Sequence, residues 1–367
     1  MKISPDDIDR IAAGSAFLAT GGGGDPYVGS LVAKRALSEF GDVELMDLNE
    51  LTDSATVIAV GGIGAPVISL EKLPNGREQD WALEHLERFI GKSADALIAY
   101  EVGGVNSLLT FIAAARRGLP VLDGDGMGRA LPEMQMTTFS IHGVNGTPMV
   151  VVDEHGNNAV VTTNDTNKAE RITRNIALAM GGQCTSAESV MTGALVKKAS
   201  IPESITLCLA IGRSLRKSVN NADEFIGDLR ELIDKSVYGV VEKLLVGKVV
   251  DVERKTEGGF DYATIVLEDL ENKERGQMRI SVQNEFLFAE QNGTVRASVP
   301  DLICIVDSET AAPITSDRIR YGQRVTVIAI GAPPICRTPE AIAVIGPRAF
   351  GIDADFVPLE QLTQSGS

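Results

Sequence analysis

Acidic side chains recur beside glycines along this chain. The segment LDGDGMGRALPEMQMTTFSIHG brings Asp123, Asp125, Glu133 and His142 into one short stretch. Carboxylates and an imidazole together can hold a divalent metal or act as acid and base. Arg129 in the same run offers a planar fork that fits a substrate carboxylate. Glu101 follows the apolar run LIAY and stands next to Gly103 and Gly104. Two further clusters, GGGGDP (Gly21, Gly22, Gly23, Gly24, Asp25) and GGIG (Gly61, Gly62, Gly64), bear no side chains of their own. Their backbone N–H groups are suited to receive an anionic or carbonyl oxygen. The expected catalytic residues are therefore Asp123, Asp125, Glu133 and Glu101. The glycines, with Asp25 and Arg129, are expected to bind substrate, and Asp123, Asp125 and His142 are the ligands if a divalent metal is used. No H-E-x-x-H or Cys/His spacing fixes a metal, so the cofactor stays open.

Other chemistries are weaker. GGIGAP imitates a dinucleotide fingerprint but lacks its third glycine, and Pro66 falls where the phosphate-binding helix should begin. GGGGDP follows a helical pattern rather than a strand, and neither loop continues as G-K-[ST]. Cys184 in CTSAES has no histidine nearby in sequence to activate it. The four cysteines are scattered without CxxC spacing, which points to reduced, buried thiols. His85 and His155 read as surface residues of a helix and a turn.

Elements that would position these groups are legible from local signals. Ser4 and Pro5 open a helix through Leu18, and Asp25 and Pro26 open a second, so the four glycines join two helices. Apolar runs at 43–48 and 55–60 and a helix over about 78–91 lead to the clearest unit, residues 96–123. There a buried strand, a helix begun by Asn106 or Ser107 and stopped by Gly118, and a second strand form a βαβ unit. Residues 147–163 read as a hairpin turning at His155-Gly156, and Asn164 opens a helix ending at Gly181-Gly182. Two helical segments follow, near 202–217 and 221–234, and from Leu244 onward strands alternate. The fold class expected is an α/β N-terminal domain with a parallel or mixed sheet and glycine-rich loops at strand ends. An α+β domain ending in a β-sandwich or barrel-like part completes it. The boundary expected lies between 1–167 and 168–367. In open α/β sheets ligands gather beyond the carboxyl ends of strands, where three of the glycine clusters are expected to lie, so one shared pocket is anticipated.

Composition narrows the partners. The 367 residues are 44% hydrophobic and 23% charged, with a formal net charge of -16, an ordinary globular makeup hostile to a nucleic-acid backbone. The N-terminus lacks a signal-peptide core and no apolar run is long enough to span a bilayer, so a cytoplasmic protein that binds neither membrane nor nucleic acid is expected. A homo-oligomer is expected from the frequency of symmetric assemblies.

Four blocks, ATGGGGDP, YEVGG, DGDGMGRALPEMQM and VPDLICIVDSETAAPITSDRIRYGQRVTVIAIGAP, together resemble the S-methyl thiohydantoin desulfurase family, in the same order and over nearly the whole chain. That resemblance implies two domains and hydrolysis of an S-methylated thiohydantoin to a hydantoin with release of methanethiol. It also implies relatives joined to hydantoinase or oxoprolinase domains, and hence a hydantoinase-type partner. Two alternatives accompany it: a nucleotide- or small-anion-binding protein, and a non-catalytic subunit of a hydantoinase-type enzyme.

Overall fold

The fold is taken from a computed structural model, which describes residues 1–64, 72–217, 222–272, 274 and 276–364. Pro66 lies outside them. Two sheets organise the chain. The first is mixed, with strands β1 (Lys2–Ile3), β2 (Val43–Met46), β3 (Thr56–Gly64), β4 (Ala96–Ala99), β5 (Val121–Asp125), β6 (Met149–Val152), β7 (Asn158–Val161), β8 (Gln183–Thr192) and β9 (Ile201–Pro202). Their order is β1-β2-β5-β4-β3-β8-β6-β7, with β9 beside β5. β2, β5, β4 and β3 run parallel, and β8 enters antiparallel beside β3. β8 and β9 come after residue 168, so the C-terminal half supplies strands to the first sheet. The expected βαβ unit is present as β4, helix α4 and β5.

Helices α1 (Pro5–Leu18), α2 (Pro26–Phe40), α3 (Glu78–Ile90) and α4 (Asn106–Arg117) form where caps and periodicity placed them. Asp25 caps α2 by accepting the Tyr27 N–H, and Gly118 ends α4 in the left-handed conformation. After the short α5 (Thr138–Ile141), α6 (Thr166–Ala179) is capped by Asp165 rather than opened at Asn164. Then come α7 (Gly193–Ala199), α8 (Ser204–Lys217) and α9 (Ala222–Ile233). α1 and α8 cross closely: a Cβ on Gly14 would meet the Cys208 carbonyl oxygen at 1.9 Å, and one on Gly212 the Arg10 carbonyl oxygen at 1.8 Å.

The second sheet is antiparallel, built from β10 (Val241–Glu257), β11 (Phe260–Asp269), β12 (Gln277–Gln283), β13 (Glu285–Gln291), β14 (Thr294–Ser298), β15 (Leu302–Asp307) and β16 (Arg324–Ile330). Its order, β14-β13-β12-β11-β10-β16-β15, curls until β15 packs against β13 and β14, a half-barrel rather than a sandwich. The alternation read in these strands puts one side of each into a core of its own, which includes Val249, Ile265, Ile280, Phe286 and Val327. Among the described residues no helix is long and apolar enough to cross a membrane.

GGIG differs from its expected place. Gly61 to Gly64 do not follow a strand but continue β3, paired with Ser186 to Gln183 of β8. Glycine suits this stretch because neighbours press against it: a Cβ on Gly61 would lie 3.0 Å from the Tyr100 Cβ, and one on Gly64 2.5 Å from the Gly182 oxygen.

Candidate functional site

A cavity opens where the end of β4, the glycine run, β3 and the start of β13 meet. It encloses about 680 Å³, counting the part open to solvent. The chain leaving β4 supplies Tyr100 and Glu101. The Tyr100 N–H donates to the Val60 oxygen at 3.2 Å, its carbonyl accepts the Gly126 N–H at 3.1 Å, and its hydroxyl donates to the Met134 oxygen at 2.7 Å. Those bonds tie this chain end to β3, β5 and the 132–134 segment, and so aim Glu101. The Glu101 carboxyl is 5% exposed and accepts hydrogen bonds from the Asn106 amide and from the Leu131 N–H at 3.2 Å. Asn106 was read as a cap for α4; its side chain instead bridges, its Oδ1 accepting the Gly62 N–H at 2.7 Å.

Glu285 enters from the other sheet. Asn284 turns the chain with φ +57 and accepts the Asp261 N–H on Oδ1 at 2.9 Å, which delivers Glu285 at the first position of β13. The carboxyl is 2% exposed, is supported by the Gly23 N–H, and its Oε2 has no hydrogen-bond partner. The Phe286 N–H donates to the Thr20 oxygen at 2.7 Å and the Ser316 N–H to the Gly21 oxygen at 2.9 Å, so the glycine run is stitched to the second sheet. The remaining wall is Glu133 with Glu170 and Arg174 of α6. Glu170 accepts from the Arg174 Nε and from the Met134 N–H at 3.1 Å, while Arg174 Nη2 donates to the Pro132 oxygen at 2.9 Å and its guanidinium lies 4.4 Å from the Phe260 ring centre.

Loss of water dominates the electrostatics. Burial lifts Glu101 well above the usual carboxylate range, and the nearby Glu285 charge lifts it further. Burial also raises Glu285 to about 8 in spite of the Arg129 guanidinium, and raises Glu170 against the pull of Arg174. Glu188 of β8, fully buried with Oε2 unpartnered and Ser186 donating to Oε1 at 2.7 Å, is pushed to about 8. A buried carboxyl whose proton affinity is raised further by a neighbouring carboxylate can share one proton with it near neutrality, which would put a donor and a base in one site.

Of the residues expected from sequence, Gly23, Gly24, Gly62, Gly64, Glu101 and Glu133 line this cavity. Gly21, Gly22, Gly61, Gly103 and Gly104 stand behind it and make close packing possible. A Cβ on Gly22 would fall 1.9 Å from Glu285 Oε1, one on Gly21 2.5 Å from the Phe286 ring, and one on Gly104 2.1 Å from the Gly23 oxygen. The backbone donors at Gly22, Gly23 and Gly62 are already engaged, by Ala19, Glu285 and Asn106. These glycines thus contribute room rather than free N–H groups.

The other expected residues lie elsewhere. Arg129 does not face a substrate: it is 1% exposed, and its guanidinium donates to the carbonyls of Ala130, Pro300, Asp301 and Phe286 and to the Thr20 hydroxyl, clamping the two sheets together. Asp123 accepts from the Thr206 N–H and hydroxyl at the start of α8. Asp125 is fully buried, and its Oδ2 collects the N–H groups of Val102, Met127 and Gly128 at 2.8, 3.0 and 2.8 Å. His142 ends α5, outside the cavity lining, so Asp123, Asp125 and His142 do not converge. No group of three or more His, Cys, Asp or Glu side chains among the described residues could hold a metal ion. Asp25 caps α2 and pairs with Arg318, outside this cavity. All four cysteines are free and buried, and burial pushes the Cys184 thiol to about 12.

Sequence reading missed Glu285, Glu170, Arg174, Asn284 and the bridging role of Asn106. A signal existed for two of them. Glu170 shares the apolar stripe of α6 with Ala169, Thr173 and Ala177, and Glu285 precedes the apolar EFLFA run; acids in such places are seldom buried without a task.

No curated protein matches the chain. A crystal structure of a protein from Chromobacterium violaceum is similar in fold, with TM-score 0.76 and 23% identity, covering 98% of this chain and 100% of that one. Residues 6–163 match the S-Me-THD-like N-terminal domain, and residues 163–359 the S-Me-THD-like C-terminal domain. With both of its domains matched in order over residues 6–359, the chain belongs to the S-Me-THD-like family.

Proposed function

We propose that this protein is a hydrolase acting on a small cyclic amide of the hydantoin type, an S-methyl thiohydantoin, at the cavity between Glu101 and Glu285. The family description supports the substrate class. The observation that carries the reading is the meeting of two water-deprived carboxyls from different sheets over a recess small enough for one ring, walled by glycines. In the reaction water adds to C2 of the ring, a C–O bond forms and the C–S bond breaks. The water oxygen becomes the C2 carbonyl of the hydantoin, one of its protons ends on the ring nitrogen and the other leaves as the thiol proton of methanethiol.

Glu285, with a proton at neutral pH and an unpartnered oxygen, donates to the ring nitrogen and makes C2 electrophilic. Glu101, beside it, holds its proton at least as firmly while Glu285 is charged, so the pair works with one shared proton: the carboxyl that is ionised in the pair takes a proton from the attacking water. Thiolate is a good leaving group, so little further acid assistance is needed. Acidic walls at Glu101, Glu133, Glu170 and Glu285 oppose phosphate groups, which disfavours a nucleotide in this recess. All the named groups come from one chain, so the reading requires no hydantoinase-type subunit to complete the site.

The test is incubation of the purified protein with an S-methyl thiohydantoin in H2 18O. Methanethiol release with 18O at C2 of the product is expected. Release no faster than in buffer, or product without the label, would overturn the proposal.

A further inference from the structure

A second recess adjoins the first. It encloses about 690 Å³, counting its open mouth, and shares Val105 and Gln183 with the polar cavity as common walls. Its character is opposite. Val28, Val32, Leu73, Val105, Leu109 and Ile112 make most of its lining apolar. The charged groups on its rim are already engaged. Glu78 accepts the N–H groups of Asn75 and Gly76 at 2.6 and 2.7 Å, Asp153 those of His155 and Asn157, and Asp25 is paired with Arg318. Lys72 lies 2.6 Å from Glu154 and donates to the carbonyls of Met180 and Gln183. Among the described residues, two buried oxygens on the wall accept no hydrogen bond: Glu154 Oε2, which is ion-paired with Lys72, and the amide oxygen of Gln79, a residue 1% exposed that has no charge partner either. An open apolar recess with a single acceptor wholly without a partner is what a ligand arm needs, apolar along its length with at most one donor, and packing alone would not leave it.

Resting on the function proposed above, we infer that this recess holds the ring substituent of the substrate: the cyclic amide sits between Glu101 and Glu285 while an apolar side arm at C5 passes Val105 into the space beneath α2 and α4. The protein is then selective for rings bearing an aliphatic arm over the bare ring. Each methylene placed in such a pocket is worth about tenfold or more in kcat/KM.

The experiment compares S-methyl thiohydantoins with hydrogen, methyl or isobutyl at C5. At least a tenfold rise in kcat/KM from hydrogen to isobutyl is expected in the wild type. Leu109→Trp, which fills the recess from a half-buried position, should abolish the rise, and Val32→Phe on the opposite helix provides a second filling should the first fail to fold. A ratio within about threefold in the wild type, or a ratio that both filled variants retain, overturns the inference while leaving the hydrolase reading intact. If no ring is turned over, that reading fails by itself, and equilibrium binding of unreactive 5-isobutylhydantoin against hydantoin decides the subsite. Tenfold tighter binding, lost in the filled variants, supports it, and equal affinity overturns it.

Discussion

Asp125 and Glu285 are both buried carboxyls in glycine-rich surroundings, and loss of water raises both, Asp125 to about 6 and Glu285 to about 8. They differ in what surrounds the oxygens. One oxygen of Asp125 gathers three backbone N–H groups and so fixes the bend of 125–128 against Val102, the residue after Glu101. Glu285 is supported by its own N–H and that of Gly23, and has a bare oxygen at a cavity wall. Each keeps one oxygen without a partner, so what separates them is place: the Asp125 carboxyl is spent on its own bend, whereas Glu285 stands in the lining of the cavity. Asp125 also serves the site at one remove, because the loop it ties carries Glu101.

The contrast can be broken most sharply at Glu285. Glu285→Gln should lower kcat/KM by about 10²–10⁴-fold, with no loss of stability in a urea melt, because a neutral amide removes the proton transfer and also a costly buried acid. A variant that keeps wild-type turnover would remove Glu285 from the chemistry. Next in size is the clamp. Arg129→Lys cannot reproduce the five contacts of the planar fork and should cost about 3 kcal/mol of stability by denaturant titration, with kcat little changed in the fraction that remains folded.

The glycine run supplies a paired test. A Cβ on Gly22 collides with the Glu285 carboxyl, so Gly22→Ala should reduce kcat/KM by about 10–10²-fold. Gly23, at φ +67 with backbone 2.7 Å from its Cβ position, should respond to alanine with lost stability of about 1–3 kcal/mol. Equal effects on activity and stability at both positions would erase the distinction between them. The smallest effect is a pH dependence. Glu285 binds its proton more tightly folded, near 8, than its ordinary 4.5, so its penalty is absent below about 4.5 and complete above about 8. The stability advantage of Glu285→Gln over the wild type should accordingly widen steadily between pH 5.5 and 8 and level off above, as read in urea titrations. A gap independent of pH would mean that Glu285 titrates normally.

Much of the framework was readable from local signals. Ser4-Pro5 and Asp25-Pro26 announced α1 and α2, Gly118 stopped α4, and residues 96–123 formed the βαβ unit they spelled. Of the residues singled out in the sequence, Glu101, Glu133, Gly23, Gly24, Gly62 and Gly64 lie in the lining of one cavity. The carboxylates of the DGDGMG run drew notice because they stand beside glycines, yet Asp125 is held by the N–H groups of its own turn and Asp123 by Thr206 at the distant start of α8.

By itself the sequence determined the helix caps, the alternating strands of the second sheet and the glycines where backbones or side chains must come close, because these depend on residues a few positions apart. It also carried the family, through blocks preserved in order. Only the tertiary structure decided which acids are deprived of water, since that turns on partners far along the chain. Glu285 stands in the same cavity as Glu101 because β13 is bonded to Thr20 beside the glycine run, and Arg129 is removed from solvent because carbonyls of Phe286, Pro300 and Asp301, far along the chain, converge on it. Charge in a protein is governed by what surrounds it in space, and no window of sequence contains that surrounding.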